Sequence, residues 1–124
     1  MSMDMYRDII LDHFKHPRNF GRLSHPDASA QAYNATCGDK IIMEVEFRNG
    51  KVQGVMFRGE GCAISQASAS MLTEKIKNKT ASDILKMKSD DVLAMLGTTL
   101  TPSRTKCALL PLEVLQKAVS QVIQ

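Results

Sequence analysis

Tryptophan is missing from this 124-residue chain, and aromatic residues make up only 5% of it. A core built here must therefore be aliphatic and Met-rich, drawing on Leu, Ile, Val and eight Met. Long apolar runs are also lacking. No stretch approaches the ~20 apolar residues that cross a bilayer, and Met1 to Ile10 carries Asp4 and Asp8 where a signal peptide would be apolar. The expectation is a cytoplasmic protein without a membrane partner. Nor is there a surplus of one charge: 16 Lys+Arg stand against 13 Asp+Glu. The positive excess is small and scattered, its basic runs have no interleaved aromatics, and nucleic-acid binding is not expected. Repeats, low-complexity tracts and linkers are absent, so the length predicts one domain spanning residues 1–124.

What the chain does contain is a clear order of periodicities. Met5, Ile9, Ile10, His13 and Phe14 recur at helical spacing, predicting an amphipathic helix that ends before Pro17. Pro17 to Pro26 is dense in turn formers and reads as extended or looped. Lys40–Arg48 and Lys51–Arg58 alternate apolar and polar residues around Asn49-Gly50, a hairpin signal, and a third strand is expected around Ala30–Thr36. Ile41, Met43, Val45 and Phe47 share one strand face, while Val52, Val55 and Phe57 break strict alternation near Gly54. The small residues Ala63 to Ser70 lead into Met71, Leu72 and Ile76, a closely packed helix. Short helices follow over Thr80–Met87 and Ser89–Leu96, with Ser82 and Ser89 as caps. The last helix is placed at Ala108–Ile123, with Leu109, Leu112, Leu115, Val119 and Val122 on one stripe. Pro111 then falls in its first turn and Cys107 near its N-terminus. Helix, hairpin sheet, then helices argues for an α+β fold.

Cysteine is scarce, and its odd count of three in a reducing compartment favours thiolate chemistry or metal over disulfides. Each one falls at a junction: Cys37 in the turn Thr36-Cys37-Gly38-Asp39, Cys62 between sheet and helix, Cys107 before the last helix. A helix N-terminus favours the thiolate, which predicts easier ionisation of Cys62 and Cys107. Gly38, Gly59 and Gly61 let the backbone turn tightly beside them. So widely spaced a set is not a zinc-finger pattern, and spacing alone does not define a shared site.

Four segments carry more: YRDIILDHFKHPRNFG (6–21), NATCGDK (34–40), GEGCAISQASASMLTE (59–74) and RTKCALLPLEVL (104–115). Together, and in this order, they resemble the NifU-like N-terminal domain family, which includes IscU and SufU. The resemblance implies an α+β fold with a three-stranded antiparallel sheet covered by helices. It implies a site formed by Cys37, Asp39, Cys62 and Cys107 that holds Zn2+ or a transient [2Fe–2S] cluster. It also implies a cysteine desulfurase of the IscS/SufS/NifS type as sulfur donor, and apo iron–sulfur proteins as recipients. Three thiolates suit zinc or iron–sulfur ligation, and a carboxylate completes four-coordination. As an oxygen ligand, Asp39 would hold a soft cluster less firmly and yield to an incoming thiol.

The chain also departs from that family. IscU-like members carry His just before the third cysteine, where this chain has Lys106, as SufU-like endings do. Against SufU, the insertion between the second and third cysteines is missing. The IscU chaperone signal Leu-Pro-Pro-Val-Lys is replaced by Leu100-Thr101-Pro102-Ser103-Arg104. Three thiolates, a carboxylate and Zn2+ leave a net charge of −2, which Arg104 and Lys106 would temper. His13, His16 and His25 are expected as capping or surface residues. Two readings stay open: a non-enzymatic scaffold, monomeric or weakly oligomeric, and a zinc-dependent sulfurtransferase with Cys37 as persulfide acceptor. A purely structural zinc domain is the third and blandest.

Overall fold

Asn49 and Gly50 both take positive φ, 56° and 79°, the backbone that a two-residue hairpin with native strand twist requires. In the computed structural model, which describes residues 3–35 and 38–122, this turn joins β2 (Asp39–Arg48) to β3 (Lys51–Glu60). Phe47 pairs with Val52 and Glu46 with Gly54, so Gln53 is the extra residue of a bulge. The bulge returns Val55 and Phe57 to the face of Val45 and Met43, which explains the broken alternation near Gly54. β1 (Ala28–Asn34) lies antiparallel along β2, from Ala28 opposite Val45 to Asn34 opposite Asp39. The sheet is three-stranded and antiparallel in the order β1-β2-β3, the expected α+β arrangement.

On its inner face Ile41, Met43, Val45, Val52, Val55 and Phe57 are buried. Against them pack α2 (Ala63–Lys75) and α5 (Pro102–Val119), with α3 (Ala81–Leu85) and α4 (Ser89–Leu96) beside α5 and α1 (Met3–Lys15) against α2. Both sheet edges are partly occupied. Gly21 donates to the Phe57 carbonyl and Phe57 to that of Asn19, both at 2.9 Å. At the other end of β3, Val52 exchanges bonds with Asn78 and Lys79. Along β1, Gln121 of the C-terminal turn reaches the Ser29 backbone and Lys117 the Gln31 carbonyl.

α2 is the central helix, and small residues let its neighbours approach on all sides: Ser65, Ala67, Ser68, Ala69, Ser70 and Thr73 are buried. Buried hydroxyls need partners. Ser65 donates to the Cys62 carbonyl at 3.0 Å, Ser68 to that of Ala108 at 2.7 Å and Thr73 to that of Ser70 at 2.7 Å. Ser70 Oγ accepts from the Arg18 amide and lies 2.8 Å from His13 Nδ1. His13 is therefore neither cap nor surface. It is half-buried between α1 and α2, and desolvation, reinforced by Arg18, lowers its pKa. His16 and His25 are exposed, as expected.

Several boundaries differ from the sequence reading. Thr80, not Ser82, caps α3, in a capping box with Asp83. Ser89 is the first residue of α4, and the Lys88 amide before it is met by Asp91 at 2.8 Å. The last helix begins at Pro102 rather than Ala108, because Thr101-Pro102 supplies an N-cap and a first-turn proline in one step. Pro111 is consequently inside α5, and Cys107 is one and a half turns from its start. Val122 is exposed beyond the helix end, while Leu110, Val114 and Ala118 join the buried set because α5 is covered on two sides. Thr36 and Ile123, at the ends of predicted elements, lie outside the described residues.

Candidate metal centre

Asp39 opens β2 and is fully buried, an expensive place for a carboxylate without partners. Its Oδ1 accepts the backbone N–H of Cys62 at 2.8 Å. Cys62 is the N-cap of α2, so this bond joins the start of a strand to the start of a helix. Gly61 makes the approach possible. Its φ is +137°, and a Cβ there would stand 2.1 Å from Asp39 Oδ1 and 2.8 Å from Asp39 Cα. Any side chain at this position would push the strand away from the helix. The second carboxylate oxygen, Oδ2, is 4.0 Å from Cys62 Sγ, which also has Ser65 Oγ at 3.9 Å.

Cys107 reaches the same place from α5. It is fully buried, whereas Cys62 is half-exposed. One ligand atom each from Asp39, Cys62 and Cys107 lie within 4.8 Å of one another. A tetrahedral zinc site with bonds of about 2.0–2.3 Å separates its donors by roughly 3.3–3.8 Å. The three donors need only a small contraction to share one ion, and a set of two sulfurs and one oxygen is chemically suited to zinc or iron. Three elements far apart in sequence thus deliver two soft sulfurs and one hard oxygen to one point.

The remaining predicted site residues fall as follows. Cys37, with its predicted role as ligand and sulfur acceptor, lies outside the described residues. In sequence it is two positions before Asp39. Arg104 and Lys106 are exposed on the first turns of α5 and make no side-chain ion pair or hydrogen bond among the described residues. Arg104 borders a groove of about 430 Å³ with Arg7, Ile64 and Leu100; Lys106 borders one of about 370 Å³ with Tyr33, Leu109 and Glu113. Cys62 stands at the start of α2, whereas Cys107 lies beyond the first turn of α5 and not near its N-terminus as expected. Two residues next to the site escaped the sequence reading: Ser65, beside the Cys62 sulfur, and Ser68, bonded to the carbonyl that follows Cys107. Their signal was present only as a run of small residues after Cys62.

The chain is 38% identical to the zinc-dependent sulfurtransferase SufU of Bacillus subtilis over 134 aligned positions, covering 94% of this chain and 90% of that protein. It is 33% identical to the iron–sulfur cluster assembly scaffold protein IscU 1 of Archaeoglobus fulgidus over 115 positions, covering 93% of this chain and 74% of that one. Its fold superposes on the crystal structure of FiSufU from Fervidobacterium islandicum AW-1 with a TM-score of 0.76 at 27% identity, covering 95% and 99% of the two chains. Residues 5–123 match a single family throughout, and the chain belongs to it: the NifU-like N terminal domain family.

Proposed function

We propose that this chain is an iron–sulfur cluster assembly scaffold that accepts sulfur from a cysteine desulfurase and holds iron or a transient [2Fe–2S] cluster for recipient apo-proteins. The observation that carries the proposal is the convergence of Asp39, Cys62 and Cys107 donors within 4.8 Å. Cys37, two positions before Asp39 in sequence, supplies the third thiolate. In sulfur delivery the Cys37 thiolate attacks the outer sulfur of the desulfurase persulfide. A new S–S bond forms on Cys37, the old one breaks, and the desulfurase thiolate leaves with its electron pair.

The chain's own residues divide the work. Cys62 and Cys107 are thiolate ligands set by two packed helices. Asp39 uses one oxygen for the Cys62 amide and presents the other to the metal, which makes it a one-oxygen ligand that is readily displaced. The positive charges of Arg104 and Lys106 would lower the cost of the anionic centre.

A second reading is a zinc-dependent sulfurtransferase, in which zinc organises the site and Cys37 leaves it to relay the persulfide. Two observations favour it: the 38% identity to the Bacillus subtilis protein of that name and Lys106 beside Cys107. Anaerobic reconstitution with iron, cysteine and a desulfurase tests the choice. The scaffold reading expects cluster absorption bands and transfer to an apo-ferredoxin. Tightly held zinc and strong desulfurase activation without a transferable cluster would establish the second reading instead.

A further inference from the structure

Cys62 and Cys107 ride on different helices, so their separation is the separation of α2 and α5 near the site. A side-chain hydrogen bond joins these helices: Ser68 Oγ donates to the Ala108 carbonyl at 2.7 Å, with both residues fully buried. Its position is specific at both ends. On α2, Ser68 is six residues from the Cys62 cap; on α5 the acceptor belongs to the residue after Cys107. Four residues beyond Cys107 stands Pro111, which has no N–H to offer a carbonyl one turn back, so α5 has one fewer internal bond at this point than an unbroken helix. The carbonyl that Pro111 leaves is that of Cys107, and the Ser68 bond to the next carbonyl adds an external hold to a segment whose own ladder is one bond short.

We infer that Ser68 is a positioning residue of the metal centre: its hydroxyl fixes α5 against α2 and thereby sets the Cys62–Cys107 spacing that grips the ion. The inference rests on the reading that these cysteines share a metal. Ser68 touches no ligand atom among the described residues and acts through the helix that bears Cys107. Other hydroxyls of α2 do different jobs. Ser65 bonds within its own turn, and Thr73 bonds to Ser70 and accepts from Asn19, away from α5. Thr73 is equally buried and provides the matched control.

The test compares full-length wild type, Ser68→Ala and Thr73→Ala. Zinc affinity is measured by chelator competition, and the Co2+-loaded proteins are compared through their d–d and sulfur-to-metal charge-transfer bands. Ser68→Ala is expected to weaken zinc roughly 10–100-fold, the usual scale for removing an outer-shell support, and to change the Co2+ bands. Thr73→Ala should leave both at wild-type values even where it lowers the unfolding midpoint. A metal-free arm uses a Cys37→Ser background and measures the equilibrium of the Cys62–Cys107 disulfide against glutathione. The effective concentration of the two thiols should fall in Ser68→Ala and not in Thr73→Ala. Equal effects of the two substitutions, unchanged thiol proximity in Ser68→Ala, or its failure to fold would each overturn the assignment. If the wild type binds neither metal, the functional reading fails, while the thiol measurement still decides whether Ser68 sets the spacing.

Discussion

The two halves of the candidate centre are held by different physics. Asp39 and Cys62 are locked by backbone: a strand start and a helix start meet across Gly61, and the Cys62 amide is the carboxylate's own hydrogen-bond donor. Cys107 is mid-helix, and its place follows from how α5 packs on α2 and the sheet. The first half is tied at the backbone, so a change at one member reaches the other. The second can be shifted by side chains some distance away. A site that must hold cargo and then release it gains from such asymmetry, since one wall stays put while the other adjusts.

The sharpest way to break the backbone half is Gly61→Ala. Its methyl would overlap the Asp39 carboxylate at a φ that only glycine tolerates well, and a loss of about 3 kcal/mol or more is expected together with loss of zinc. Urea unfolding and metal competition would show it; an alanine protein with wild-type values of both would mean that this junction yields easily. Next in size, Asp39→Ala leaves the Cys62 N–H without its acceptor at a cost of about 1–3 kcal/mol. Asp39→Asn keeps an acceptor oxygen and should recover most of that stability while still weakening the metal. If the two variants unfold alike, the carboxylate's structural role is refuted.

The smallest effect concerns the far end of α2, where His13 meets Ser70. Its folded pKa lies below the ordinary value of 6.5, so the unfolded chain binds the extra proton more readily. His13 therefore contributes stability that is fully present above pH 6.5 and lost as the pH falls through its folded value. Urea midpoints of metal-free protein from pH 8 to 5 should show this decline, and His13→Gln should flatten it. A wild-type curve with no decline would contradict the shift.

Legibility followed the range of the determining contacts. The hairpin at Asn49-Gly50, the irregularity at Gly54 and the cap position of Cys62 are set by neighbours in sequence, and each could be read there. The four-residue ligand set came from family resemblance, and the structure brings three of its members together. What could not be read depended on partners far along the chain. His13 looked like a helix-end residue until Ser70, 57 residues away, engaged it. Ser68 looked like filler because its acceptor is 40 residues on. The start of α5 is hidden for a local reason: Pro111 suits a first turn, although Thr101-Pro102 carries the better start signal and tertiary packing tolerates the internal proline.

The covered rims of the sheet bear on how another molecule can engage this one. Gly21, Asn78 and Gln121 already occupy main-chain groups that an incoming extended segment would need. A segment arriving in extended form would have to displace these bonds before it could lengthen the sheet at those places.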